Sequence, residues 1–156
     1  MTDRIYLAQH GVALGKTENP ERPLSPDGIQ QTQTIARYIQ QANLPVEYIF
    51  HSGKLRAKQT ADIFAEAMNI AATSAIAGLS PNDDVALLAE HLTLQTLYVG
   101  HLPHLAKLAS CLVTGNENTN IIQFQNSALL CLEKKPGDDS LCWQLCWYLP
   151  ATFPAT

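Results

Sequence analysis

The sequence predicts an α/β fold: a three-layer sandwich with a mostly parallel central sheet, helices on both faces and a C-terminal antiparallel hairpin. Three observations carry that expectation. Short apolar runs of strand length alternate with segments of helical period through the first two-thirds of the chain, the pattern of parallel sheets joined by helical crossovers. Near the end, two apolar runs flank Pro136-Gly137-Asp138-Asp139, a hairpin signal. Finally, two of the strand-like runs end in histidine: Ile5-Tyr6-Leu7-Ala8-Gln9-His10-Gly11 and Leu97-Tyr98-Val99-Gly100-His101-Leu102-Pro103. Ligands collect at the carboxyl ends of strands in open α/β sheets, so two imidazoles delivered there from distant parts of the chain indicate one site.

The elements follow in order. A strand over 4–10 leads into a Pro/Gly-rich loop, 11–25. Ser25-Pro26-Asp27-Gly28 then reads as a helix start, with Ser25 as N-cap and Pro26 in the first helical position. The helix runs to about Gln41 and turns Ile29, Ile35, Ala36 and Ile39 toward the sheet. Pro45 ends the connection, and Val46-Glu47-Tyr48-Ile49-Phe50 is the second strand. A helix over about 54–68 places Leu55, Thr60, Ala61, Phe64, Ala65 and Met68 near helical spacing. A short edge strand is expected at 71–76, and a helix of roughly 83–92 capped by Pro81-Asn82-Asp83-Asp84. The third strong strand is 95–100, followed by a helix from Pro103 to about Val113. Strands from Asn126 to Glu133 and from Ser140 to Trp147 close the chain. On the second of these, Leu141, Trp143, Leu145 and Trp147 share parity and predict one fully apolar face.

Composition narrows the function. A chain of 156 residues, 46% hydrophobic and 15% charged, suits one globular domain spanning 1–156. The net charge of −4 argues against a nucleic-acid-binding face. A basic pocket within an acidic protein is still compatible with it. No apolar stretch approaches the roughly 20 residues of a membrane span, and Met1-Thr2-Asp3-Arg4 runs straight into a strand. The expectation is a cytoplasmic protein without signal peptide or membrane partner. Cys111, Cys131, Cys142 and Cys146 show no C-x-x-C spacing and are expected as reduced, small apolar residues.

The chemistry lies after the strands. His10 and Gly11 follow the first; Ser52, Gly53, Lys54 and Arg56 follow the second; His101 follows the third. Two histidines and an arginine converging on one sheet edge suit a tetrahedral dianion. Arginine offers paired donors, and helix N-termini add backbone N–H groups.

At these residues the chain resembles the histidine phosphatase superfamily, specifically its small SixA-type phosphohistidine phosphatases. Tyr6-Leu7-Ala8-Gln9-His10-Gly11 resembles the strand and R-H-G motif, and Arg22-Pro23-Leu24-Ser25-Pro26-Asp27-Gly28 resembles R-P-L-[ST]-x-x-G. Ser52-Gly53-Lys54-Leu55-Arg56-Ala57-Lys58-Gln59-Thr60 resembles S-P-x-x-R-A-x-Q-T, and Gly100-His101-Leu102-Pro103 resembles [GS]-H-x-P. The four motifs occur in the family's order. The resemblance implies a phosphoglycerate mutase-like fold and a covalent mechanism without metal or cofactor. His10 would be the nucleophile, Arg56 and His101 its catalytic partners, and Gln9, Arg22 and Ser52 substrate-binding. A protein phosphohistidine or a small phosphoester would be the substrate, and inorganic phosphate the product.

Departures from the pattern carry their own expectations. Gln9 stands where the family has arginine, Gly53 where it has proline, and Lys54 where an apolar residue is usual. An amide donates a hydrogen bond but lacks the charged fork, and losing one preorganised donor costs about 10²–10³ in rate. Two readings of Gln9 stay open: a working oxyanion ligand, or a relic in a pseudophosphatase that binds phosphate or phosphoprotein without turnover. Lys54, Lys16 and Arg22 are candidates to restore the charge. Asp83, Asp84 and His51 are candidates for a general acid or a supporting group, the two aspartates also being suited to a helix N-terminus. His91 and His104 have structural explanations. His101 and His104 have an H-x-x-H spacing interrupted by Pro103, which does not favour a metal site.

Overall fold

The structure, a computed structural model, describes residues 3–134 and 142–153. Its elements are β1 (Asp3–Gln9), α1 (Pro26–Ala42), β2 (Tyr48–His51), α2 (Leu55–Met68), β3 (Ser74–Ala75), α3 (Val85–Ala89), β4 (Thr96–Gly100), α4 (His104–Thr114), β5 (Leu129–Lys134) and β6 (Gln144–Leu149). They form one six-stranded sheet in the order β3-β2-β4-β1-β5-β6. Pairing is parallel for β2 with β3, β2 with β4 and β1 with β4, and antiparallel for β1 with β5 and β5 with β6. The mostly parallel sheet with a C-terminal antiparallel pair is the architecture the alternating pattern predicts. The hairpin turn expected at Pro136-Gly137-Asp138-Asp139 lies outside the described residues.

Both faces of the sheet are covered. On one side Tyr6, Ala8, Ile49, Leu97 and Val99 pack with Ile35, Ala36 and Ile39 of α1 and Ala57, Ala61 and Phe64 of α2. On the other, Ile5, Leu7 and Tyr98 meet Val85 and Leu88 of α3 and Leu105, Leu108 and Leu112 of α4. Strand alternation explains the division: odd and even residues of β1 feed opposite cores. The central strands β1 and β4 are therefore apolar throughout, as strands covered on both faces must be.

Helix α1 starts as its sequence dictates. Ser25 is extended (φ −72°, ψ 164°), its hydroxyl accepts the Gly28 N–H, and Pro26 fills the first turn. Asn43 in the left-handed region closes the helix. Gly28 is required by close approach rather than by its dihedrals, since a Cβ there would sit 2.1 Å from the Val12 carbonyl oxygen.

Several expectations are corrected. Ile29 is 39% exposed, because it precedes the α1 stripe formed by Thr32, Ile35, Ala36 and Ile39. The edge strand shrinks to Ser74–Ala75. Helix α3 covers only Val85–Ala89; the chain leaves it early to return to the sheet, where the Tyr98 hydroxyl accepts the Thr93 N–H at 2.8 Å. Strand β5 starts at Leu129, not Asn126. Of the apolar face expected for Leu141, Trp143, Leu145 and Trp147, Leu141 lies outside the described residues and the other three do not share a face. Cys131 pairs with Trp147 but Leu132 pairs with Leu145, a bulge that inserts Cys146 and reverses the alternation. Trp147 consequently packs on Tyr6, ring centroids 6.0 Å apart, while Trp143 is buried in the α3–α4 core and Leu145 is exposed.

The α1 contact is directly testable. Gly28→Ala should lower stability by about 1–3 kcal/mol through overpacking against the Val12 backbone, visible as a fall in Tm on thermal denaturation. An unchanged Tm would contradict the close approach.

Candidate active site

Register assembles the site. In the parallel pairing Gln9 lies beside Gly100, and His51 beside Val99. The residues that leave the sheet next, His10, Ser52 and His101, therefore meet at one edge. The His10 N–H donates to the Gly100 carbonyl at 3.0 Å. The His10 and His101 rings lie 4.9 Å apart, tilted by 51°. The Ser52 hydroxyl oxygen is 2.6 Å from His101 Nε2. Arg56, in the first turn of α2, directs its Nε to His10 Nε2 at 3.3 Å. The structure thus brings together four of the residues singled out by the sequence motifs.

Hydrogen-bond chemistry fixes the state of His10. Its Nδ1 is 2.7 Å from the Gly11 carbonyl oxygen, and a carbonyl only accepts. Nδ1 therefore carries the proton. Its Nε2 faces a guanidinium N–H, and arginine only donates. Both neighbours select the same neutral tautomer, with a lone pair on Nε2.

Electrostatics supports neutrality. Burial, opposed by the Gly11 carbonyl and reinforced by Arg56 and Arg22, lowers the His10 pKa to about 4. Burial, with His10, Arg56, Lys54 and His104 nearby, lowers that of His101 to about 3. Both rings are uncharged at neutral pH, and the fixed positive charge of the pocket comes from arginine and lysine.

The remaining motif residues hold the frame. Thr60 Oγ1 accepts the Gly11 N–H at 2.9 Å and donates to the Arg56 carbonyl at 2.8 Å. Gln59 Oε1 accepts the Leu24 N–H at 2.7 Å, tying the 11–25 loop to α2. Gly53, at φ +91°, turns the chain from β2 into α2, and its N–H donates to His51 Nδ1 at 3.0 Å. Helix α2 begins at Lys54 with no side-chain cap, leaving first-turn N–H groups beside the histidines open to an anion.

The other candidates take distinct positions. Arg22 (φ 51°) donates Nε to the Leu14 carbonyl and lies close enough to bias both His10 and Arg56 electrostatically. Lys54 is exposed at the start of α2 and its charge reaches His101; Lys16 is exposed in the loop. Gln9 shares a sheet face with Ile5 and Leu7, and its Oε1 is buried without a hydrogen-bond partner. His51 is buried, supports the Gly53 turn and lies near Asp62 and Lys58. Asp84 caps α3 by accepting the Ala86 N–H, and Asp83 accepts the Ser80 N–H while lying near His104. Both aspartate side chains are thus engaged by backbone groups.

Two residues beside the site, Asn126 and Ser127, fall within the strand that the sequence pattern predicts from Asn126, and the structure instead starts that strand at Leu129. Asn126 donates its side-chain amide to the His10 carbonyl at 2.9 Å, and the Ser127 N–H donates to the Gln9 carbonyl at 3.0 Å. An Asn-Ser pair ahead of an apolar run is a turn signal, and it was the available clue.

Comparison with known proteins identifies the family and the fold. The family model for the histidine phosphatase superfamily (branch 1) matches residues 5–80. An uncharacterized protein of Picosynechococcus sp. is 31% identical over 121 residues, 71% of this chain and 73% of that protein. The phosphohistidine phosphatase SixA of Escherichia coli K12 is 24% identical over 152 residues, 91% of this chain and 92% of its own length. A solved structure of the protein histidine phosphatase SixA complexed with tungstate superimposes with TM-score 0.79 at 23% identity, covering 95% of this chain and 97% of that one. The fold is thus phosphoglycerate mutase-like, and the chain belongs to the histidine phosphatase superfamily, branch 1, as a phosphatase-like hydrolase.

Proposed function

We propose that this protein removes a phosphoryl group through a phosphohistidine formed on His10, and that its substrate is phosphohistidine in a protein. The observation that carries the reading is the neutral His10 ring: Nδ1–H is bound to the Gly11 carbonyl, and Nε2 is presented beside Arg56 and His101. In the first step Nε2 attacks phosphorus in line, and the bond from phosphorus to the leaving group breaks with its electron pair. In the second, water attacks the phosphohistidine, the phosphorus–nitrogen bond breaks, and inorganic phosphate leaves. Arg56, His101 and the uncapped N-terminus of α2 stabilise charge on the equatorial oxygens. Ser52, Arg22 and Gln9 line the approach.

The substrate reading rests on the leaving group. Imidazole departs more readily than an alkoxide and has less need of a general acid, which matters because the Asp83 and Asp84 side chains are committed to backbone N–H groups. A small phosphoester is the competing substrate. The orphaned Gln9 Oε1 favours a second reading, a phosphate-binding chain with blunted turnover. No helix among the described residues is long and apolar enough to cross a membrane, in keeping with the cytoplasmic location proposed.

Turnover separates these readings. Purified protein should hydrolyse a phosphohistidine peptide faster than an aryl phosphate, with EDTA present. His10→Ala should lower kcat by about 10³-fold or more, whereas Gln9→Arg should raise it by up to about 10²-fold. Undiminished turnover in His10→Ala overturns the mechanism, and phosphate binding without turnover in both the parent and Gln9→Arg supports the second reading.

A pH dependence follows from the depressed histidine pKa values. The folded state prefers neutral rings, so stability from this source is fully present above the unfolded histidine value of about 6.5. It declines as pH falls toward the folded value of about 4 for His10. NMR titration of the His10 ring should give a midpoint near 4, with Tm falling as the solution is acidified below pH 6.5. A midpoint near 6.5 would show that the pocket does not exclude the proton.

A further inference from the structure

We infer that Asn126 and Thr60 clamp the His10–Gly11 peptide and thereby hold the His10 ring in its Nδ1–H tautomer. This role as positioning residues rests on His10 being the nucleophile.

The contacts on that one peptide unit carry the inference. Its carbonyl oxygen, that of His10, accepts from Asn126 Nδ2 at 2.9 Å. Its N–H, that of Gly11, donates to Thr60 Oγ1 at 2.9 Å. Carbonyl and N–H point to opposite sides of a planar peptide, so the two side chains fix the plane from both ends. The next carbonyl along, that of Gly11, is the acceptor for His10 Nδ1–H.

A glycine at this place would otherwise be the loosest joint in the site. It is needed because a Cβ would lie 2.9 Å from Thr32 Oγ1 and 3.0 Å from both Leu24 Cδ2 and Ser127 Oγ. The clamp supplies the rigidity that glycine lacks. If the Gly11 carbonyl rotated away, Nδ1 would lose its acceptor, and the ring could move its proton to Nε2. Nε2–H would then face the Arg56 guanidinium, donor against donor, and the nucleophilic lone pair would be gone.

Each clamp residue is itself held. The Thr60 proton goes to the Arg56 carbonyl, so its lone pair is what receives Gly11, and the nucleophile's peptide is tied to the first turn that carries Arg56. Asn126 forms an isolated parallel bridge with Gln9. Ser127, at φ 64°, pairs its hydroxyl with Thr32 Oγ1 at 2.7 Å. The Thr32 hydroxyl donates to the Gly28 carbonyl, so Ser127 is the donor in that pair. The segment thereby anchors on α1 as well as β1.

The test uses nitrogen-15 NMR of the histidine rings together with kinetics. Asn126→Asp keeps the shape but removes the donor; Thr60→Val keeps the shape but removes the acceptor; Thr60→Ser retains a hydroxyl. In the parent, His10 should show a protonated Nδ1 and a bare Nε2. Asn126→Asp and Thr60→Val should each give a mixed tautomer and a kcat lowered about 10- to 100-fold, with KM within about threefold, while Thr60→Ser restores the parental tautomer and most of kcat. An unchanged tautomer in folded Asn126→Asp and Thr60→Val overturns the clamp, as does a Thr60→Ser loss equal to that of Thr60→Val, or a Thr60→Val chain that fails to fold while Thr60→Ser folds with full activity and the Asn126→Asp tautomer is parental. The ring state is read in the resting protein. A lack of turnover in the parent would therefore count against the proposed function and leave the clamp to be decided by the tautomer.

Discussion

The parallel pairing of β1 with β4 is the constraint on which the site depends. With Gln9 beside Gly100 and Ile5 beside Thr96, the two strands end level, and the histidines that follow them are neighbours although ninety-one positions separate His10 from His101. A slip of one residue would move Ile5, Leu7 and Gln9 to the α1–α2 side and expose a polar residue to the wrong core. Side chains of unlike size on the two faces, Ile5 and Leu7 on one and Tyr6 and Ala8 on the other, oppose that slip, so the packing that stabilises the sheet also sets the spacing of the two rings. Strand β2 joins β4 in the same sense and delivers Ser52 and, one helical turn on, Arg56.

Once the rings are side by side, burial and charge determine their state. Desolvation is the largest influence on both His10 and His101, and the nearby cations act in the same direction. Two neutral imidazoles near Arg56, Arg22 and Lys54 form a pocket whose positive charge comes from those cations and not from the rings. On the proposed mechanism, an incoming phosphoryl group would meet these cations and an unprotonated nucleophile together. Gln9 adds no charge to that field, whereas Lys54 reaches His101 electrostatically.

Much of this was legible in the residues. Alternating strand and helix periods foretold the mostly parallel sheet, and the Ser25-Pro26 start of α1 followed from capping chemistry alone. The motifs located His10, Ser52, Arg56 and His101 because each sits where a strand hands over to a helix. What escaped was set by contacts distant in sequence. The bulge that turns Trp147 toward Tyr6 depends on how β6 meets β5, which periodicity along one strand does not encode. The roles of Thr60 and Asn126 escaped for a related reason. Thr60 occupies a core-facing helical position, and Asn126 precedes a strand, so only the fold reveals that both reach the same peptide beside His10.

If His10 is the nucleophile, its Nε2 is the atom presented to phosphorus, with Arg56 and His101 around the oxygens. A diffraction structure with bound tungstate tests it most directly. The metal centre should be bonded to His10 Nε2, with oxygens hydrogen-bonded to Arg56 and to His101, and with His10 Nδ1 still on the Gly11 carbonyl. Tungstate bound elsewhere, or held in the pocket through other residues with His10 turned away, would contradict it.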